Sequence, residues 1–288
     1  MIDRRAYLLD ITDRTPNARL LEELVDILAR FGYNEFFLYR KPSVPAIPAK
    51  LAAYCDMQGI DAKAIGPDDY ERLSREKSNV IVSTFAERSL AGRIEEMRAA
   101  MSAAEAAVRA RKARRFLVTD FSDGYAWEPL CVSLPGIVLG GNVMTAGAVA
   151  AKMDLEKDLC SVMDFPLGGL LQKLGTLYLR GGAVRADASE YFNILSGDPG
   201  YSRHPGITQF VLDEIAAIAR GVKLQLERWT DRNDWAKEIA YTASLLEAAA
   251  QRRNEAVLRA LRDEHGRIWR LRNEPEGRVE SLSKLPRF

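Results

Sequence analysis

One feature constrains this chain more than any other: between Ala6 and Asp120 short β-like runs alternate with helical patterns, and beyond about Leu134 the strand signals stop. Parallel strands need a crossover long enough to hold a helix, so this alternation predicts a parallel sheet built from βα units. Five strands are expected, at 6–12 (AYLLDIT), Glu35–Tyr39 (EFFLY), 60–65, 80–85 (VIVSTF) and Arg115–Asp120 (RFLVTD). Between them, 17–31 carries Leu20, Leu21, Leu24, Val25 and Leu28 on one helical stripe, Ala49–Met57 reads as a short helix, and 90–113 as an Ala/Glu/Arg-rich one. The second half is helical throughout. Leu212, Ile215, Ala219, Val222, Leu226 and Trp229, then Trp235, Ile239, Thr242, Leu246 and Ala249, predict two long helices paired as an antiparallel hairpin, with Asp231 capping the second. Small apolar residues over 135–151 predict a helix packed against both halves. The expected organisation is an α/β domain over 1–150 and an α-helical domain over 151–288.

Composition excludes several functions. The 288 residues carry 41 Lys+Arg against 40 Asp+Glu, a net charge of +1, so no field favours nucleic acid or an anionic membrane. The basic run Arg109, Arg111, Lys112, Arg114, Arg115 reads as a helix end facing solvent. No stretch is long enough to span a membrane, and Cys55, Cys131 and Cys160 are too widely spaced for a zinc or disulfide framework, which fits a reduced, cytoplasmic setting. GxSxG, Walker A, GxGxxG and HExxH patterns are absent, so neither cofactor nor metal is expected. Both His204 and His265 read as surface positions.

In βα barrels the functional face lies at the C-terminal strand ends. Those ends carry Asp10, Asp13 and Arg14; Tyr39 and Arg40; Ser83 and Thr84; then Thr119, Asp120, Asp123, Tyr125, Trp127 and Glu128. If the first and last strands are neighbours, Asp10 and Asp120 sit about 5 Å apart at the backbone and can divide acid and base roles. The alternative is that both cap turns. Trp127 beside Tyr125 and Glu128 has two readings as well, a platform for the apolar face of a sugar or a packed core residue.

The segment from Leu90-Ala91-Gly92-Arg93 through FLVTDFSDGYAWEPLCVSLPG resembles the last βα unit and closing strand of glycoside hydrolase family 20, the β-N-acetylhexosaminidases, where a "TDWGD…HWQPLPVSLPG"-like stretch ends the barrel. RRAYLLDITDRTPNARLLEELVDILARFGYNEFFLY resembles that family's first βαβ unit, and EHGRIWRLRNEPEGRVESLSKL the helical region after the barrel. The resemblance implies an incomplete TIM-barrel-like domain. A full barrel takes about 250 residues, and here the family's first three strands pass almost directly, at 68–79, into its seventh and eighth. The catalytic Asp-Glu pair that follows the family's fourth strand is missing, because Asp213-Glu214 and Asp263-Glu264 fall in the helical half. Arg14 is shifted from the family's sugar-binding Arg, with Asp13 in its place, and Phe121 replaces the usual Trp, whereas Asp120, Asp123 and Trp127 match.

The leading expectation is a family 20-like pseudoenzyme that binds N-acetylhexosamine-type sugars or glycoconjugates through Arg14, Tyr39, Arg40, Tyr125, Trp127 and Glu128. The first alternative is a working glycosidase with Asp10, Asp120 or Asp123 as acid and base. The second is a scaffold or interaction protein whose open barrel is completed by a partner chain. A homodimer, or a partner covering the open edge, is expected.

Overall fold

The computed structural model describes residues 2–122, 124–146, 154–164, 166–182, 188–197, 201–231, 233–252 and 254–286. It is an α/β protein with an all-parallel five-stranded sheet, β1 (Arg4–Asp10), β2 (Glu35–Tyr39), β3 (Asp61–Ile65), β4 (Asn79–Ser83) and β5 (Arg115–Asp120), in the order β3-β2-β1-β5-β4. First and last strands are indeed neighbours, but the sheet does not close, and β3 and β4 are its two edges. The crossovers carry α1 (Ala18–Arg30), α2 (Ala49–Met57), α3 (Pro67–Arg75) and α4 (Ile94–Arg111). Here α3 stands where the sequence was expected to pass straight from one strand to the next. Pro67 at its first position presets φ for the helix, and Asp69 accepts the Gly66 N–H, which starts the helix despite its polar composition.

The two sheet faces have different cores. Tyr7, Leu9, Phe36, Leu38, Val80, Val82, Phe116 and Val118 point toward α1, α4 and α5 (Leu130–Ala146) and belong to the main cluster. Ala6, Leu8, Phe37, Tyr39, Ile65 and Leu117, on the alternate face, form a smaller cluster with Tyr70 and Leu73 of α3. Glycines let α5 press closely on the sheet: a Cβ on Gly136 would lie 2.8 Å from the Thr84 Cα, and one on Gly140 2.6 Å from Val118 Cγ2. The same helix touches β1, β5, α4 and α10, the expected position against both halves.

Beyond it come α6 (Leu155–Val162), α7 (Leu167–Gly175), α8 (Glu190–Ser196), α9 (Gln209–Thr230), α10 (Asp234–Ala250), α11 (Glu255–Arg272) and α12 (Arg278–Lys284). The hairpin forms from α9 and α10, with Leu212, Ile215, Ala219, Val222, Leu226, Ile239 and Leu246 buried. Its second helix is capped by Asn233, which accepts from the Ala236 N–H, rather than by Asp231. The main cluster runs on from the sheet into these helices, and the domain boundary expected near residue 150 falls outside the described residues. Buried Arg272 joins the halves, pairing with Glu238 of α10 and Glu23 of α1. None of the helices, over the described residues, is long and apolar enough to cross a membrane.

Candidate functional site

Register decides what the strand ends bring together. Leu9 pairs with Asp120, and Asp10 lies one residue further along β1. Side chains alternate along a strand, so the two carboxylates project from opposite faces of the sheet and make no acid–base pair. Asp10 is the turn cap: its Oδ1 accepts from Thr12 N at 2.9 Å and from the Thr12 hydroxyl, which in turn takes the Lys41 N–H at 3.0 Å. Burial pushes its carboxyl up, and the Thr12 bonds oppose that.

Asp120 sits on the helix-covered face at the centre of a polar cluster. The Tyr7 hydroxyl donates to Oδ2 at 2.7 Å, the Thr84 hydroxyl to Oδ1 at 3.2 Å, and Arg14 lies 3.9 Å away. Arg14 also reaches the Glu128 carbonyl at 3.5 Å. Burial pushes the Glu128 carboxyl up to about 7, an effect that neighbouring backbone groups of Glu128, Leu90 and Ser89 and the Arg14 charge only partly offset. Glu87, just past β4, is also pushed up to about 7, by burial and, more weakly, by Asp120, although Ser83 donates to it at 2.6 Å.

The structure therefore gathers Arg14, Asp120 and Glu128 and leaves the other expected residues elsewhere. Tyr39 is enclosed on the opposite face, edge-on to Phe121 at 5.4 Å and to Tyr70 at 5.9 Å. Arg40 is exposed. Trp127 is 1% exposed, its ring held between Tyr125 (4.9 Å) and Phe192 (5.4 Å) while Nε1 donates to the Ser281 carbonyl at 3.3 Å. In this position the ring has no free face for a sugar. Asp123 falls outside the described residues. Ser122 donates to Asp13 at 2.8 Å, so Asp13 serves the loop.

Tyr7 and Glu87 are site residues the sequence did not single out. Tyr7 is hidden inside an apolar run, and Glu87 lies four residues past the end of β4, among loop residues. His265 is a correction: it is buried between Tyr241 (2.7 Å) and Ser281 (3.1 Å), and burial pushes it down to about 4. The helical stripe of α11 turns it inward even though its sequence neighbours are charged. Arg115, read as solvent-facing, is also buried, bonding Glu35 at 2.8 and 3.2 Å.

Between these groups and α11 lies a small cavity of about 20 Å³, lined by Arg14, Trp127, Glu128, Trp269, Arg272 and Asn273 among others. Four buried polar atoms of the lining residues have no hydrogen-bond partner among the described residues: Arg14 Nε and Arg272 Nη2, which donate, and Glu128 Oε1 and Asn273 Oδ1, which accept. Two donors and two acceptors around this volume match one water, which accepts two bonds and donates two. Among the described residues no group of three or more His, Cys, Asp or Glu is placed to hold a metal. Set against the models of known protein families and against curated protein sequences, the chain matches none.

Proposed function

We propose that this protein is a non-catalytic interaction protein built on the remnant of a family 20-like barrel, whose strand-end polar cluster now has a structural task. The strand order supports the barrel reading: β3-β2-β1-β5-β4 is the order a closed barrel would show after loss of the strands between its third and its last two. The observation that carries the functional reading is the cavity beside Arg14 and Glu128. Its volume of about 20 Å³ suits one water, whereas small-molecule sites span several hundred Å³. Asp120, which would meet a sugar hydroxyl, is bonded from within by Tyr7 and Thr84, and the space left beside Arg14 and Glu128 is too small for a sugar.

The test is a thermal-shift titration with N-acetylglucosamine, N-acetylgalactosamine and a thiazoline mimic of the family's cyclised intermediate, together with hydrolysis of an aryl N-acetylhexosaminide. No shift at millimolar sugar and no turnover are expected. A rise in melting temperature that disappears in Arg14→Ala would overturn the reading, since selective binding must stabilise the native state. Trp127→Ala is expected to cost about 3–5 kcal/mol of stability, as a buried aromatic does.

One observation favours a second reading. Glu87 and Glu128, both pushed up to about 7, have the proton affinity of general acids and bases near neutral pH. Turnover abolished by Glu87→Gln, with the fold retained, would establish it.

A further inference from the structure

β4 is an edge strand whose outer side no other strand pairs with among the described residues. Thr84 N donates to the Thr119 carbonyl and Arg115 N to the Ser78 carbonyl, so the even-numbered residues of this segment bond β5 and the N–H and C=O groups of Ile81 and Ser83 face away from it. Beside this edge runs a groove of about 580 Å³, with Tyr70 and Ser74 of α3 on one wall and Ala100, Ala103, Ala104, Ala107 and Arg111 of α4 on the other. All five strands of the described residues are already in the sheet, so none of them covers it. Uncharged edges of this kind are templates for another strand.

We propose that the occupant is a second copy of this chain, paired antiparallel through β4 about a two-fold axis at Ile81. The strand reads Asn-Val-Ile-Val-Ser. Reversed upon itself about Ile81, it sets Asn79 opposite Ser83, Val80 opposite Val82 and Ile81 opposite its own copy, so polar meets polar and apolar meets apolar at every position. The helix beside it has the same symmetry. Antiparallel contact centred between Ala103 and Ala104 sets Ala100 against Ala107 and brings the Arg111 end of one α4 beside the Glu95 end of the other, Glu96 being held by Arg93 of its own chain. Small side chains then let the helices approach, and the acidic first turn of α4 meets the basic last turn of the other copy. Arg111 is exposed and makes no ion pair among the described residues, leaving it free for this contact. The pairing makes one ten-stranded sheet and closes on itself, since each copy uses the one edge that carries no charged side chain among the described residues.

This deepens the interaction reading by naming the partner, and it fails separately from it, because sugar binding is read from melting temperature and self-pairing from mass. Sedimentation equilibrium of the full chain at micromolar concentration is expected to give twice the chain mass of 32.2 kDa. Ala103→Arg, at an exposed helical position that tolerates Arg, places like charges near the axis and is expected to give the monomer, with far-ultraviolet circular dichroism unchanged. Leu224→Arg adds the same charge to an exposed position of α9 and is expected to leave the dimer intact. Amide exchange at Ile81 and Ser83 should be at least tenfold slower in the wild type than in Ala103→Arg. A wild-type monomer, a dimer that survives Ala103→Arg, or equal exchange in the two proteins would overturn the proposal.

Discussion

The two edges of the sheet are treated in opposite ways. On β3, Lys63 pairs with Asp61 of its own strand and lies 3.4 Å from Glu35 of β2, so charge occupies the outer strand. The brace continues inward, because Glu35 also holds buried Arg115 of β5 across the intervening β1. On β4, Val80, Ile81 and Val82 stand without a charge between Asn79 and Ser83. A charged edge resists pairing because a docking strand would have to strip water from Lys63 and Asp61; an apolar edge gains from being covered. The sheet is guarded on one side only, and the difference points to β4 as the side meant for contact.

The largest expected effect breaks the guarded half. Arg115→Ala leaves buried Glu35 with only the half-exposed Lys63 as a cation, and urea unfolding should show a loss of about 3 kcal/mol. The next concerns the half that ends in β4 and β5. Glu128 has a carboxyl raised from 4.5 to about 7 in the folded state. Its protonated form is therefore the one that folding favours, and its stabilising contribution is complete below about pH 4.5 and lost as pH rises through 7, by about 3 kcal/mol. His265 runs the other way: lowered to about 4, it contributes fully above pH 6.5 and progressively less as pH falls toward 4. Denaturation midpoints across pH 4–8 should show Glu128→Gln reducing the alkaline loss to the share that Glu87, also raised to about 7, contributes, and leaving the acid loss; an unchanged alkaline limb would mean that Glu128 is already ionised when folded. The smallest change in stability, within about 1 kcal/mol, is expected for the double variant Asp61→Asn, Lys63→Val, yet it makes the two edges alike. Sedimentation velocity should then show species larger than the dimer, because a chain with two open edges no longer closes its assembly.

Much of the architecture was legible before any coordinates. Glu35–Tyr39 and Arg115–Asp120 form strands over the residues expected, because β-branched and aromatic runs bounded by turn residues have few other folds available. The neighbouring of β1 and β5 was legible too, as was the α9–α10 hairpin. α3 was not, because only Tyr70 and Leu73 of its nine residues give it an apolar side. The strand-end residues were found by type, and Arg14, Asp120 and Glu128 do meet. Of the two readings of Asp10 the structure has the turn cap, since a register difference of one residue sends its side chain to the face opposite Asp120.

The local chemistry of the sequence determined the strands, most of the helices and the titratable groups at the strand ends, because β propensity, apolar spacing and turn residues act within a few positions of the chain. Only the tertiary structure decided that Trp127 and His265 are enclosed, that Glu128 is raised toward neutrality, and that β4 rather than β3 is left open. Each of these depends on what arrives from far along the chain: Phe192 and Ser281 against Trp127, α11 over Arg14 and Glu128, and the charges that reached one edge of the sheet and not the other.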